Sequence, residues 1–312
     1  MSNQDNNDKM CCENEIYCHR ESSCGICYEE IYNNESCELK CNHIFHKKCI
    51  ENMFNYNLNS CPICRSHIDD NPVDKFKKYE SYYDSLKSGF TILKPKEISS
   101  LLDNITELCN NDFIKANILL GDIYIDGIIV EKNISHAIKC YEKAVNEKSD
   151  DALFKLGVLY CELNEKQKGY SYLDVAAKNE NVQAQFIYGC SLFNDVCESK
   201  NFNENVAKKA FNYLYKSSES NIVEAFVNVG LCYFFGIGTE KNLTNAFEFF
   251  KKSSMYENVN GLYYTGFCMY KGIGVNADIL QARNYFERVL EIEDNHRNTM
   301  VMLKEIDSRE VC

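Results

Sequence analysis

The sequence predicts a mainly α-helical protein in two parts: a compact cysteine- and histidine-rich module near its start, then a long array of paired helices. Two observations carry that expectation. The stretch CNHIFHKKCIENMFNYNLNSCPICR, from Cys41 to Arg65, holds four cysteines and two histidines in twenty-five residues. Further along, a small residue followed five positions later by glycine returns five times between Ala116 and Gly266.

The totals fit a folded chain. At 312 residues there is room for one large domain or two ordinary ones. The 45% hydrophobic and 26% charged content is that of a globular protein. No run of eighteen apolar residues exists, so no membrane span or membrane partner is expected. The opening MSNQDNNDKM is polar, without the apolar core of a secretory signal; residues 1–20 read as a disordered lead-in to an intracellular protein of cytoplasm or nucleus. In a reducing compartment eighteen cysteines do not mean disulfides. Ten of them precede residue 65 and call for a metal; the eight from Cys109 to Cys312 are spaced singly, as small core residues are. Net charge is −12 without a long basic run, which argues against nucleic acid and for protein partners.

Within the first part the candidate ligands fall in pairs: Cys24 and Cys27, Cys41 and His43, His46 and Cys49, Cys61 and Cys64. A two-residue gap lets a tight turn aim both thiolates at one tetrahedral zinc ion. Gly25 suits such a turn if it takes a positive φ. Eight ligands suffice for two closed four-ligand sites. A second arrangement stays open, in which Cys37 and Cys41 form the second pair and His43 is spare. Cys11, Cys12, Cys18 and His19 have no assignment. The metal substitutes for the apolar core that about fifty residues cannot build alone.

The ligand order resembles the RING finger of the two-histidine type, over residues 21–70. That resemblance implies a small α+β cross-brace fold in which Cys24, Cys27, His46 and Cys49 hold one zinc ion while Cys41, His43, Cys61 and Cys64 hold the other. It also implies a RING-type ubiquitin-protein ligase acting without a covalent intermediate, by docking a ubiquitin-conjugating enzyme that carries ubiquitin. By the same resemblance the docking groove uses Ile26, Met53 on a helix beginning near Ile50, and Pro62. Arg65 would bridge the conjugating enzyme and its ubiquitin. Met53 stands where many such fingers carry Trp, and this chain has no Trp at all.

Residues 71–96 read as a linker with some local structure, bounded by Pro72 and Pro95. Ile98, Leu101, Leu102, Ile105 and Leu108 then recur at helical spacing, as in a helix that covers the end of an array. The array occupies 97–312. ANILLGDIY, ALFKLGVLY, AQFIYGCSL, AFVNVGLCY and GLYYTGFCM open five repeats over 113–291, and MVMLKEI caps them. DGII, FGIG and KGIG read as helix-ending turns rather than phosphate loops, because no lysine followed by serine or threonine comes after them. Self-similarity at this period means an α-solenoid. The pattern A-x4-G-x2-Y, a glycine turn, then A-x3-[YF] resembles Sel-1-like repeats, relatives of the tetratricopeptide class. Repeat two departs, with CELNEKQK in place of the turn. His136 and His296 lack sequence partners for catalysis, and no nucleophilic triad is visible. The expected function is therefore a ligase whose solenoid recruits an unidentified protein substrate; the alternative is a non-enzymatic adaptor.

Overall fold

The computed structural model describes residues 23–31, 36–39, 41–55, 58, 60–66, 72–91, 94–199 and 202–310. Residues 1–20, including Cys11, Cys12, Cys18 and His19, lie outside the described residues. The chain divides into two compact units, Met1–Ala116 and Asn117–Cys312.

The first unit opens with a two-stranded antiparallel sheet, β1 (Ser36–Glu38) and β2 (Ile44–His46), in which Cys37 faces Phe45. Helix α1 (Lys47–Asn55) follows β2 without a loop. It begins at Lys47 rather than near Ile50, because the chain passes straight from strand to helix after His46; Cys49 therefore sits in its first turn. Phe45 is fully buried, joined by Leu39, Ile50 and Met53. So few apolar side chains hold a fold only with help.

Residues within the predicted linker form α2 (Pro72–Lys87), whose Val73, Phe76 and Tyr83 share a buried face. Helix α3 (Pro95–Asn110) packs against it, burying Leu101, Ile105 and Leu108. Pro95 takes the first helical position, where its missing N–H costs nothing, and the Glu97 carboxylate accepts the Lys94 N–H at 2.7 Å. Phe76 closes on Phe113 with ring centroids 5.3 Å apart.

The repeats form five helix pairs: α4 (Ile114–Asp126) with α5 (Ile134–Asn146), α6 (Asp150–Glu162) with α7 (Lys166–Lys178), α8 (Val182–Glu198) with α9 (Glu204–Glu219), α10 (Val223–Phe235) with α11 (Leu243–Ser254), and α12 (Val259–Lys271) with α13 (Ile279–Ile292). Helix α14 (Arg297–Glu310) follows and buries Ile306 against the last pair. Helices α7, α9 and α11 each pack both on their own partner and on the first helix of the next pair, and α13 packs on α12 and α14. The architecture is the predicted mainly α solenoid, following a small metal-binding module in the chain.

Packing explains the repeating glycine. A Cβ on Gly230 would lie 2.5 Å from Phe250 Cε1, and one on Gly157 would lie 2.6 Å from Leu173 Cγ. Gly121 faces Tyr141, Gly189 faces Leu214 and Gly266 faces Phe286 in the same way. Each repeat thus trades a side chain on its first helix for a large one on its second. The GIG segments end helices: Gly236 and Gly272 close α10 and α12 in the left-handed region, at φ 76° and 67°. Repeat two needs no such loop, since α6 and α7 are joined by residues 163–165 alone, with Asn164 at φ 61°. Asn133, Asn203, Asn242 and Asp278 cap second helices through their side-chain oxygens.

Polar links cross between helices. Asp122 accepts from the Tyr141 hydroxyl at 2.6 Å and pairs with Lys155. Asp174 pairs with Lys209 at 2.7 Å and accepts from Tyr213. Cys232 and Cys268 are buried core residues whose thiols burial pushes up to about 12. Cys197 departs from the expected core role; it is exposed near the end of α8. His136 packs against Tyr124, and His296 hydrogen-bonds Thr299, so both serve local packing. Among the described residues no helix is long and apolar enough to cross a membrane.

Candidate metal centre and adjoining groove

Two turns of the same design frame the centre. In the first, Tyr28 N–H donates to the Cys24 carbonyl at 2.8 Å and Cys24 N–H to Glu29 at 2.8 Å. In the second, Arg65 N–H donates to the Cys61 carbonyl at 2.8 Å and Cys61 N–H to Ser66 at 2.9 Å. The left-handed residues are Tyr28 (φ 63°) and Arg65 (φ 60°), each directly after a ligand. Gly25 does not take a positive φ, contrary to the expectation from sequence. Its value is room: a Cβ there would meet Ile63 Cδ1 at 3.0 Å and Phe45 Cε1 at 3.2 Å, where the two turns approach each other.

Eight ligand atoms gather into two groups. Cys24, Cys27, His46 and Cys49 form one; Cys41, His43, Cys61 and Cys64 form the other, all ligand atoms of a group lying within 4.8 Å of one another. Cys37 belongs to neither group and pairs in the sheet. A tetrahedral zinc ion with Zn–S of about 2.3 Å and Zn–N of about 2.0 Å sets S···N edges of about 3.5 Å. The Nδ1 atom of His46 lies 3.2 Å from Cys27 Sγ and 4.0 Å from Cys49 Sγ. The Nδ1 atom of His43 lies 3.4 Å from Cys41 Sγ and 3.6 Å from Cys61 Sγ. The donor sets fit two zinc ions. His46 Nε2 sits 3.0 Å from the Glu30 carbonyl and donates to it, which leaves Nδ1 unprotonated toward the thiolates.

The local field favours thiolate at several positions. Burial works to raise the Cys24 thiol, but the backbone N–H groups of Cys27, His46 and Ile26 outweigh it and bring it down to about 6. The Ser66 hydroxyl leads in holding Cys41 down at about 7. Cys49 is opposite: burial first, then the sulfurs of Cys27 and Cys24, push it up to about 12. A third thiolate in that group needs a cation among the sulfurs. Three thiolates and one imidazole in each group would fill a tetrahedron, so zinc held there would be structural, with no position left for a substrate water.

Where both turns meet α1, a groove of about 770 Å³ opens. Ile26, Met53, Leu58, Pro62 and Arg65 line it, with Asn52 and Ser60 as its polar members. Met53 is only 7% exposed and forms the floor. Leu58 is 57% exposed and forms a lip, its N–H donating to the Met53 carbonyl at 3.1 Å. Sequence reasoning missed Leu58; the available signal was an isolated leucine in the polar run between α1 and Cys61.

Known families agree with this geometry. A family model described as Ring finger domain matches residues 22–65. Sel1 repeat models match 114–149, 182–222, 224–255 and 259–288, and a tetratricopeptide repeat model matches 151–180. The chain carries a RING finger of the two-histidine type followed by Sel1 repeats. The finger segment is 36% identical over 59 residues to the E3 ubiquitin-protein ligase RHA2A of Arabidopsis thaliana, covering 18% of this chain and 38% of that protein. It is 43% identical over 49 residues to the RING-H2 finger protein ATL52 of Arabidopsis thaliana, covering 15% and 13%. The chain spans well under half the length of the curated relatives it matches. The repeats share their fold with a Sel1 repeat protein from Oxalobacter formigenes, at TM-score 0.58 and 20% identity over 72% of this chain and 83% of that one.

Of the ten early cysteines, six join His43 and His46 in the two groups, and Cys37 lies in the sheet. The tetratricopeptide match falls on repeat two, the pair joined without a glycine loop.

Proposed function

We propose that this chain is a RING-type ubiquitin-protein ligase. Its finger docks a ubiquitin-conjugating enzyme on the groove formed by Ile26, Met53 and Pro62, and its solenoid recruits the protein to be modified. The observation that carries the reading is the convergence of both zinc turns and α1 on one apolar groove with Arg65 at its edge. The conjugating enzyme brings the reactive thioester. The ligase contributes position: holding a flexible thioester in an attack-ready pose removes entropy from the barrier. Arg65 is exposed and held in a left-handed backbone by its own N–H bond, so its guanidinium can reach beyond the groove and donate several bonds from one plane. The relatives named as ligases support this reading for the finger; the solenoid's part rests on the usual work of repeat surfaces in gripping proteins.

The test is ubiquitin-chain synthesis by the purified, zinc-loaded chain with a panel of conjugating enzymes. Activity with at least one, lost in Ile26→Ala and reduced more than tenfold in Arg65→Ala, is expected. A folded, two-zinc protein inactive with the whole panel would leave an adaptor role in its place.

A further inference from the structure

The helices of the solenoid divide by charge. The first helices α6, α8, α10 and α12 together carry six carboxylates and two lysines, whereas the second helices α7, α9, α11 and α13 carry ten cations and six carboxylates. Both lysines of the first helices are already engaged: Lys155 with Asp122 at 2.8 Å and Lys271 with Glu305 at 3.1 Å. Glu162 and Glu224 have no ion-pair partner among the described residues. The face built by these first helices is therefore acidic.

On the same face, apolar side chains take over positions that carry charge in the first repeat. The position of Leu231 and Phe267 holds Asp122 there; the position of Phe235 holds Asp126 there, Glu162 in the second repeat and Lys271, paired with Glu305, in the fifth. Leu231, Phe234, Phe235, Tyr263, Tyr264 and Phe267 line a groove of about 230 Å³ between α10 and α12. Phe235 is 62% exposed, although a phenylalanine gains by leaving water. Glu224, on the first turn of α10, lies one turn before Asn228, whose amide donates to Cys190 Sγ of α8 at 3.3 Å.

We propose that this groove receives an aromatic or long aliphatic side chain of a protein segment that also carries lysine or arginine. The apolar anchor fills the α10–α12 groove, while the basic residues lie along the acidic face, toward Glu224 on α10 itself and Glu162 on α6 beyond α8. Steering by the acidic face raises the encounter rate, and the anchor sets residence. Use of this segment to choose a ubiquitination substrate rests on the ligase reading; the binding itself does not.

The experiment selects from a displayed library of random twelve-residue peptides on the full zinc-loaded chain. Enrichment of peptides that combine an aromatic or aliphatic residue with lysine or arginine is expected. A selected peptide should bind Phe235→Ser about tenfold more weakly and Glu224→Lys several-fold more weakly, with less dependence on salt. Because Phe235 and Glu224 are both exposed, the variants keep the helical spectrum of the parent. No enrichment, enrichment of acidic peptides, or unchanged binding by both variants overturns the proposal. So does a concentration-dependent dimer broken by Phe235→Ser, which assigns the groove to a second copy of the chain. Chain synthesis by the finger is measured alongside: its absence with peptide selection intact refutes the ligase reading and leaves the groove standing.

Discussion

Replacing Gly230 by alanine tests the packing rule on which the solenoid rests. In an exposed helix the change would stabilise by about 1 kcal/mol, because glycine loses more backbone entropy on folding. Here the new Cβ would sit 2.5 Å from Phe250 Cε1 and 2.6 Å from Cδ1. That is roughly 1 Å inside ordinary carbon contact. The ring has nowhere to go: Phe250 is fully buried and stacked on Tyr264 at 4.9 Å. Overpacking of this kind costs about 1–3 kcal/mol. The net expectation is destabilisation by up to about 2 kcal/mol, read as a lower urea midpoint of the far-ultraviolet helix signal. Gly266→Ala supplies the comparison, since its Cβ would meet Phe286 Cε1 at 3.0 Å and a shift of a few tenths of an ångström suffices; the two effects should nearly cancel there. Combining Gly230→Ala with Phe250→Leu should cost less than the sum of the two single changes, because the ring edge that clashes is gone. If Gly230→Ala alone is as stable as the parent, or more so, the glycine is not there to admit the ring, and this account of the repeat fails.

Three further outcomes follow from the same structure. Metal analysis should find two zinc ions per chain, and chelation should abolish the finger's ordered amide resonances while the helical signal of the repeats persists; loss of both together would contradict independent stabilisation of the finger. Burial works against ionisation of Asp174, but Lys209 and Lys178 outweigh it and hold the carboxyl below its usual range. A depressed folded-state value means the link stabilises above the unfolded carboxylate range and fades as pH falls through the folded value, so the urea midpoints of parent and Asp174→Asn should differ at pH 7 and converge in acid. Tyr141→Phe removes the hydroxyl that Asp122 accepts at 2.6 Å and should cost about 1 kcal/mol in the same assay, and much less in an Asp122→Ala background, where the acceptor is gone.

The ligand pairs of the finger were legible because a two-residue gap is a local constraint: Cys24 with Cys27 and Cys61 with Cys64 must share a turn whatever surrounds them. Which pairs share an ion is set by how the strands and α1 cross, and spacing is silent about it; the interleaved order came from resemblance to a family. The start of α1 was misplaced because the boundary between β2 and the helix carries no proline, glycine or capping side chain; HKKC runs through it. Gly25 differs from the sequence expectation for a related reason. From sequence a glycine beside a ligand suggests a backbone need, whereas the need was space for Ile63, thirty-eight positions away in the chain and adjacent in the fold.

The repeat period, the small residue that opens each first helix and the glycine five positions later belong to the sequence by itself, because every copy solves the same local packing problem and so leaves the same trace. Tertiary structure alone decided that Phe250, Leu173 and Tyr141 are what those glycines admit, that Met53 and Leu58 line one groove with Ile26 and Pro62, and that the aromatic groove lies between α10 and α12. Those relations join residues distant in the chain, and only the stacking of helices and the crossing of the zinc turns bring them within contact.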